Sequence, residues 1–86
     1  MRIVVLGAAG QLGRQVVRAL TAHGHSVRAA VRRAPVPSFD TSVEVRLADA
    51  LNKAQVRAAI SGSDAVVNVI GAGTLRGPVR VVIVTA

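Results

Sequence analysis

The sequence predicts an α/β domain on a parallel sheet of about four to five strands, half of a doubly wound fold. Three observations carry that expectation. Short continuous apolar runs, Ile3-Val4-Val5-Leu6 first among them, have the pattern of strands buried on both faces of a parallel sheet. Between such runs stand stretches whose apolar residues recur three and four apart, the period of helices packed on one side. The two patterns alternate as β-α-β, a loop, then β-α-β, the order of strands joined by helical crossovers. With 86 residues the chain holds one small domain.

The first strand ends at Gly7. In the helix that follows, Leu12, Val16, Ala19 and Leu20 form the expected buried stripe, Gln11, Arg14, Gln15 and Arg18 the solvent face, and His23-Gly24 the stop. Ser26 to Val31 is the second strand and completes a βαβ unit of about 30 residues. Arg32 to Ser42 carries two prolines among turn formers and is a loop. Val43 to Leu47 alternates apolar and charged residues, as an edge-like third strand does. Asn52 followed three residues later by Gln55 resembles a capping box, and Val56, Ala59 and Ile60 supply a buried stripe before Gly62. Ala65 to Ile70 is a fourth strand. Arg80 to Thr85 has the pattern of a fifth, yet only G-A-G-T-L-R-G-P separates the two, and a parallel crossover needs a dozen residues or more. The last strand therefore runs antiparallel at an edge, stays unpaired, or pairs with another chain.

Composition narrows the function classes. Hydrophobic residues make up 51% and charged residues 17%, a folded rather than a disordered profile. With one Phe and no Trp or Tyr, the core must be built from small and β-branched side chains. The absence of Cys excludes disulfides, thiol catalysis and cysteine-ligated metals, and no metal-ligand spacing occurs elsewhere. No apolar run approaches the ~20 residues of a membrane span and no signal peptide opens the chain, so a cytoplasmic protein without a membrane partner is expected. The net charge of +7 is spread along the chain, with Arg32-Arg33 the one adjacent basic pair, and no aromatic is placed to stack on bases. That distribution argues against nucleic acid as a partner. It suits a phosphorylated small ligand.

The chemistry-bearing motif is Gly7-Ala8-Ala9-Gly10-Gln11-Leu12-Gly13, a G-x-x-G-x-x-G pattern between the first strand and the first helix. A pyrophosphate must approach main-chain N–H groups closely, and the helix N-terminus adds donors and partial positive charge. Gly7 then allows the tight turn, Gly10 the approach of phosphate and Gly13 the close packing of helix on strand. A plain strand-to-helix turn also holds glycines, but the βαβ context is that of a dinucleotide fingerprint.

M-R-I-V-V-L-G-A-A-G-Q-L-G-R-Q-V-V, then H-G-H-S-V-R-A-A-V-R-R, L-A-D-A-L and G-S-D-A-V-V-N-V-I-G-A-G together resemble the N-terminal half of atypical short-chain dehydrogenase/reductase proteins, in particular their NmrA-like NAD(P)H-binding branch. The resemblance covers residues 1 to about 73 and implies a three-layer Rossmann-like fold across 1–86, with 74–86 an atypical tail. It implies a dinucleotide partner held at Gly7, Ala9, Gly10, Gln11 and Leu12 by its pyrophosphate, at Asp49 and Ala50 by its adenine, and at Gly71 near the nicotinamide ribose.

At the end of the second strand, where an NAD-preferring site places a carboxylate, stand Arg32 and Arg33. Arg forks onto phosphate, so the expected cofactor is NADP(H), with NAD(H) the alternative. No catalytic residue is identified. The family's Tyr-x-x-x-Lys pair is absent, Lys53 is remote, His23 and His25 lie at the far end of the first helix, and Asp40, Glu44 and Asp64 are not paired. Thr85-Ala86 resembles the end of the family's next strand. Three readings follow: a cofactor-binding module with little activity alone, a reductase completed by self-association through an exposed sheet edge, or an NADPH/NADP sensor. A methyltransferase reading suffers from the missing acidic residue after the second strand. The absent crossover helix before Arg80 leads us to expect a shortened relative of its family.

Overall fold

The computed structural model describes residues 1–70 and the backbone of 80–83. Five strands, β1 (Arg2–Leu6), β2 (Ser26–Val31), β3 (Glu44–Leu47), β4 (Ala65–Asn68) and β5 (Arg80–Ile83), form one sheet in the order β3-β2-β1-β4-β5. β1 lies at its centre, with Val4 level with Arg28 on β2 and with Val66 on β4, all parallel. Helices α1 (Gln11–Ala22) and α2 (Lys53–Ile60) make the crossovers from β1 to β2 and from β3 to β4. The first crossover travels from β1 toward β2 and the second back the other way from β3 to β4, and right-handed connections in opposite directions put the helices on opposite faces.

Strand alternation divides the core accordingly. Ile3, Val5, Val27, Ala29, Val31, Ala65 and Val67 pack with Ala8 and Val17 on the α1 side. Val4, Ala30 and Val66 pack with Ala48 and Ala59 on the α2 side. β1, β2 and β4 each contribute to both layers, which is why their runs read as continuously apolar. The side chains are small, so the layers sit close.

The α1 stripe differs from the periodicity reading at Ala19, which is exposed. The buried line runs through Gly13 and Val17, flanked by Leu12, Val16 and Leu20. Ala19 stands two residues on from Val17, about 200° round the helix, and so faces away. Close approach at Gly13 rotates α1 onto that line. At its other end His23 caps the helix: its backbone N–H donates to the Ala19 carbonyl at 3.1 Å, and its Nδ1 lies 3.0 Å from the same oxygen.

β3 is one residue shorter than expected, because the Val43 N–H bonds to the Asp40 carbonyl in the preceding turn. All four of its residues are exposed, as an edge strand allows. β4 stops at Asn68 rather than Ile70, since the Asn68 Oδ1 accepts the Ile70 N–H at 3.0 Å and turns the chain. β5 pairs antiparallel with β4, Val82 level with Val66, which selects the first of the three arrangements left open for the last strand. A short connection suffices for antiparallel neighbours. Residues 84 and 85 of the expected strand lie outside the described residues.

α2 begins as its sequence suggests, the Asn52 Oδ1 accepting the Gln55 N–H at 3.1 Å. It ends on Arg28, whose Nη1 donates to the Ala59 and Ser61 carbonyls at 2.6 and 3.0 Å while its Nε bonds Glu44 at 2.9 Å. One guanidinium thus joins β2, β3 and the negative end of α2.

Candidate functional site

The strand ends that follow from this topology define a cleft. β1, β2, β3 and β4 all point their C-terminal ends to one edge of the sheet, and the strand order reverses at β1, where the crevice of an open α/β sheet forms. There a cavity of about 530 Å³ is lined by Gly7, Ala9, Gly10, Gln11 and Leu12 from the turn after β1, by Arg32 from the end of β2, and by Asp49 and Ala50 after β3. Of the sequence-derived candidates, Arg33 is exposed and does not line it. Gly71 lies outside the described residues.

Three glycines shape the turn in different ways. Gly7 has φ +82, and a Cβ there would come within 3.0 Å of the Ile70 backbone nitrogen. Gly13 leaves no room at all: a Cβ would overlap the Gly7 carbonyl oxygen and lie 2.8 Å from Ala8 Cα. Gly10 has φ −70 and ψ 167, open to any residue, and a Cβ would meet only the Gly7 oxygen at an ordinary 3.5 Å. Neither backbone nor packing asks for glycine at that position.

Gly10 is also the N-cap of α1. Its N–H bonds the Gly7 carbonyl at 3.2 Å and its carbonyl accepts from Arg14 at 3.0 Å. It has no side chain with which to cap the helix, and no acidic residue stands in the first turn. The N–H groups of Gln11, Leu12 and Gly13 have no intrahelical carbonyl to bond. Donors and positive helix end meet at the turn that lines the cleft.

The opposite wall is held by hydrogen bonds that sequence reading missed. Gln55 does not close a reciprocal capping box on Asn52. Its Oε1 accepts the Asp49 N–H at 2.8 Å instead, while the Asp49 Oδ1 takes the Leu51 N–H at 2.9 Å and the Asp49 carbonyl the Asn52 N–H at 2.9 Å. Among the described residues the Ala50 N–H and the second Asp49 carboxylate oxygen have no partner. Leu51, 87% exposed, stands at the rim, and Val56, Val69 and Ile70 add apolar lining. Periodicity does not single out these apolar residues from core positions.

Arg32 and Asp49 are the cleft's two charged side chains among the described residues. Both displaced carboxyls lie elsewhere. Asp40 is held below the usual carboxylate range by the backbone N–H and hydroxyl of Ser42, and Glu44 by the Arg28 guanidinium, with Arg46 assisting. These are local structural bonds. Asp64 accepts the Arg2 N–H at 2.8 Å and fastens the start of β1. Among the described residues no group of three His, Asp or Glu comes together as a metal site, and no helix is long and apolar enough to cross a membrane.

Known proteins are similar to this chain in sequence and fold. The chain is 44% identical over 64 residues to a 3-diazoavenalumate denitrifying reductase from a Streptomyces species, covering 73% of this chain and 20% of that protein. The oxidoreductase ylbE from Lactococcus lactis superposes with a TM-score of 0.71 at 25% identity, over 85% of this chain and 34% of that one. Vestitone reductase from alfalfa gives 0.65 at 27% identity, over 78% and 24%. The chain thus spans a fifth to a third of the length of these relatives. A family model described as NAD(P)H-binding matches residues 7–86. The glycine turn, the switch-point cleft and that match agree: the chain belongs to the NAD(P)H-binding family of oxidoreductase-like Rossmann domains.

Proposed function

We propose that this chain supplies the cofactor half of a reductase and prefers NADP(H) to NAD(H). The observation that carries the reading is that the glycine turn, the Arg32 end of β2 and the Asp49–Leu51 segment share one cleft. Main-chain groups of Gly7, Ala9, Gly10, Gln11 and Leu12 receive the pyrophosphate, with space over Gly10 for its oxygens. Arg32 receives the ribose 2′-phosphate, where a carboxylate would repel it, and the neighbouring Arg33 adds positive charge to that end of β2. The Ala50 N–H and the second Asp49 oxygen offer a donor and an acceptor to adenine, whose edge presents an acceptor at N1 and a donor at N6. Gly71 is assigned to the nicotinamide ribose by family resemblance. Bound there, the nicotinamide supplies a hydride.

Fluorescence titration tests the preference. NADPH is expected to bind at least about tenfold more tightly than NADH, the worth of one charge-assisted contact, and the double change Arg32→Glu, Arg33→Glu to close that gap. Equal affinities in the native chain would overturn the NADP(H) preference, and binding of neither would overturn the dinucleotide reading itself.

A second reading rests on the edge of the sheet. Val45 and Leu47 on β3 are 39% and 61% exposed, and the outer side of that strand is unpaired among the described residues. Pairing of β3 with a second copy would cover them and bring further side chains to a cleft that holds few titratable groups of its own. Sedimentation at micromolar concentration is expected to give twice the 8.8 kDa chain mass. A clean monomer overturns self-association.

A further inference from the structure

We infer that Gln55 is a positioning residue that sets which base the cleft accepts. The inference rests on the assignment of Asp49–Ala50 to adenine. Three main-chain N–H groups follow one another on that wall, and two are occupied: Asp49 donates to Gln55 Oε1 at 2.8 Å and Leu51 to Asp49 Oδ1 at 2.9 Å. The Ala50 N–H is the donor left over among the described residues. Gln55 stands in the first turn of α2 (Lys53–Ile60), and the helix backbone fixes the base of its side chain. The side chain therefore ties the wall of the cleft to the helix and removes the one competing donor, Asp49 N–H, from play.

The consequence is selectivity rather than bulk affinity. Adenine accepts at N1 and donates at N6. Hypoxanthine reverses both, carrying a proton at N1 and an oxygen at C6, and so meets donor with donor and acceptor with acceptor. Such mismatches leave polar groups unsatisfied and are what makes a hydrogen-bonding site selective. With the Gln55 acceptor gone, the Asp49 N–H becomes a second donor on a loosened segment, able to turn to the hypoxanthine oxygen.

The test compares NADPH with its hypoxanthine analogue on four proteins. The native chain is expected to favour NADPH about tenfold or more, and Gln55→Met, similar in length but without a strong acceptor, to lose about two- to tenfold of that ratio. Gln55→Glu, which keeps an acceptor oxygen, is expected to retain it. Asn52→Ala weakens the helix cap and is expected to lower the melting temperature with the ratio unchanged. Gln55 is exposed, so these variants leave the core intact. A native ratio in Gln55→Met, or an equal loss in Asn52→Ala, would overturn the role of Gln55. Native binding without base discrimination overturns this inference and leaves dinucleotide binding standing; binding of neither ligand removes the reading beneath it. Amide exchange at Asp49 checks the contact without ligand: unchanged exchange in Gln55→Met defeats the inference.

Discussion

Gly13→Ala is expected to remove a large share of the domain's stability, although alanine is the better helix former. The added Cβ would overlap the Gly7 carbonyl oxygen and come 2.8 Å from Ala8 Cα. Both partners are backbone, so no rotamer change relieves the contact. The Gly7 carbonyl is held by the Gly10 N–H at 3.2 Å, and Ala8 is fully buried with its N–H bonded to the Ala30 carbonyl at 3.2 Å. The helix must lift away, and lifting it opens a gap beneath Val17 and Leu20. Overpacking costs typically about 1–3 kcal/mol and more where backbone meets backbone, so we place this change at about 4 kcal/mol. The gain in helix propensity offsets about 1 kcal/mol. A domain of this size has about 4–13 kcal/mol in all. Urea unfolding is the measurement, and a loss below about 1 kcal/mol would contradict the packing argument. Gly24→Ala is the control: its φ of +84 strains alanine, but nothing lies within 4 Å, so about 1–2 kcal/mol is expected.

Gly10→Val should do the reverse, sparing the fold and abolishing ligand binding. The backbone at Gly10 is extended and suits a β-branched residue, and a Cβ would meet one oxygen at 3.5 Å. Loss of a good N-cap costs about 1 kcal/mol, a drop of about 4–8 °C in melting temperature. The valine methyl groups would stand at the amide groups that open α1. Displacing two charge-assisted hydrogen bonds to phosphate, at about 1.5–3 kcal/mol each, weakens NADPH binding by at least about a hundredfold. Native-like affinity in a folded Gly10→Val protein would mean that phosphate does not sit over this turn.

How much of this is legible beforehand depends on the distance over which each feature is decided. The β1-α1-β2 unit is readable because its boundaries are local: Gly7 and Gly24 take positive φ where the runs break, and Asn52 caps α2 through its own side chain. Ala19 was misplaced because small residues satisfy the apolar period on either face, and the Gly13 contact chooses between them. Arg32 and Arg33 look equivalent in the sequence, but neighbouring residues past a strand end diverge, and Arg32 alone lines the cleft. The partner of Gln55 was not foreseeable from the capping pattern, since reaching Asp49 depends on how the segment after β3 folds back. Arg28, a charge inside an apolar strand, finds its purpose in the carbonyls of Ala59 and Ser61 more than thirty positions away. The direction of β5 is likewise a property of the assembled sheet.

That direction gives the sheet a mixed polarity. Each of the four parallel strands arrives at the cleft with its last residues, so loops that follow them can carry ligand-touching groups. β5 is threaded the other way: Arg80 is level with Asn68, beside the cleft, and Ile83 with Ala65, at the opposite rim. Insertions or substitutions intended to reach a ligand from this strand belong before Arg80, and whatever is grafted after Ile83 departs from the rim farthest from the cofactor.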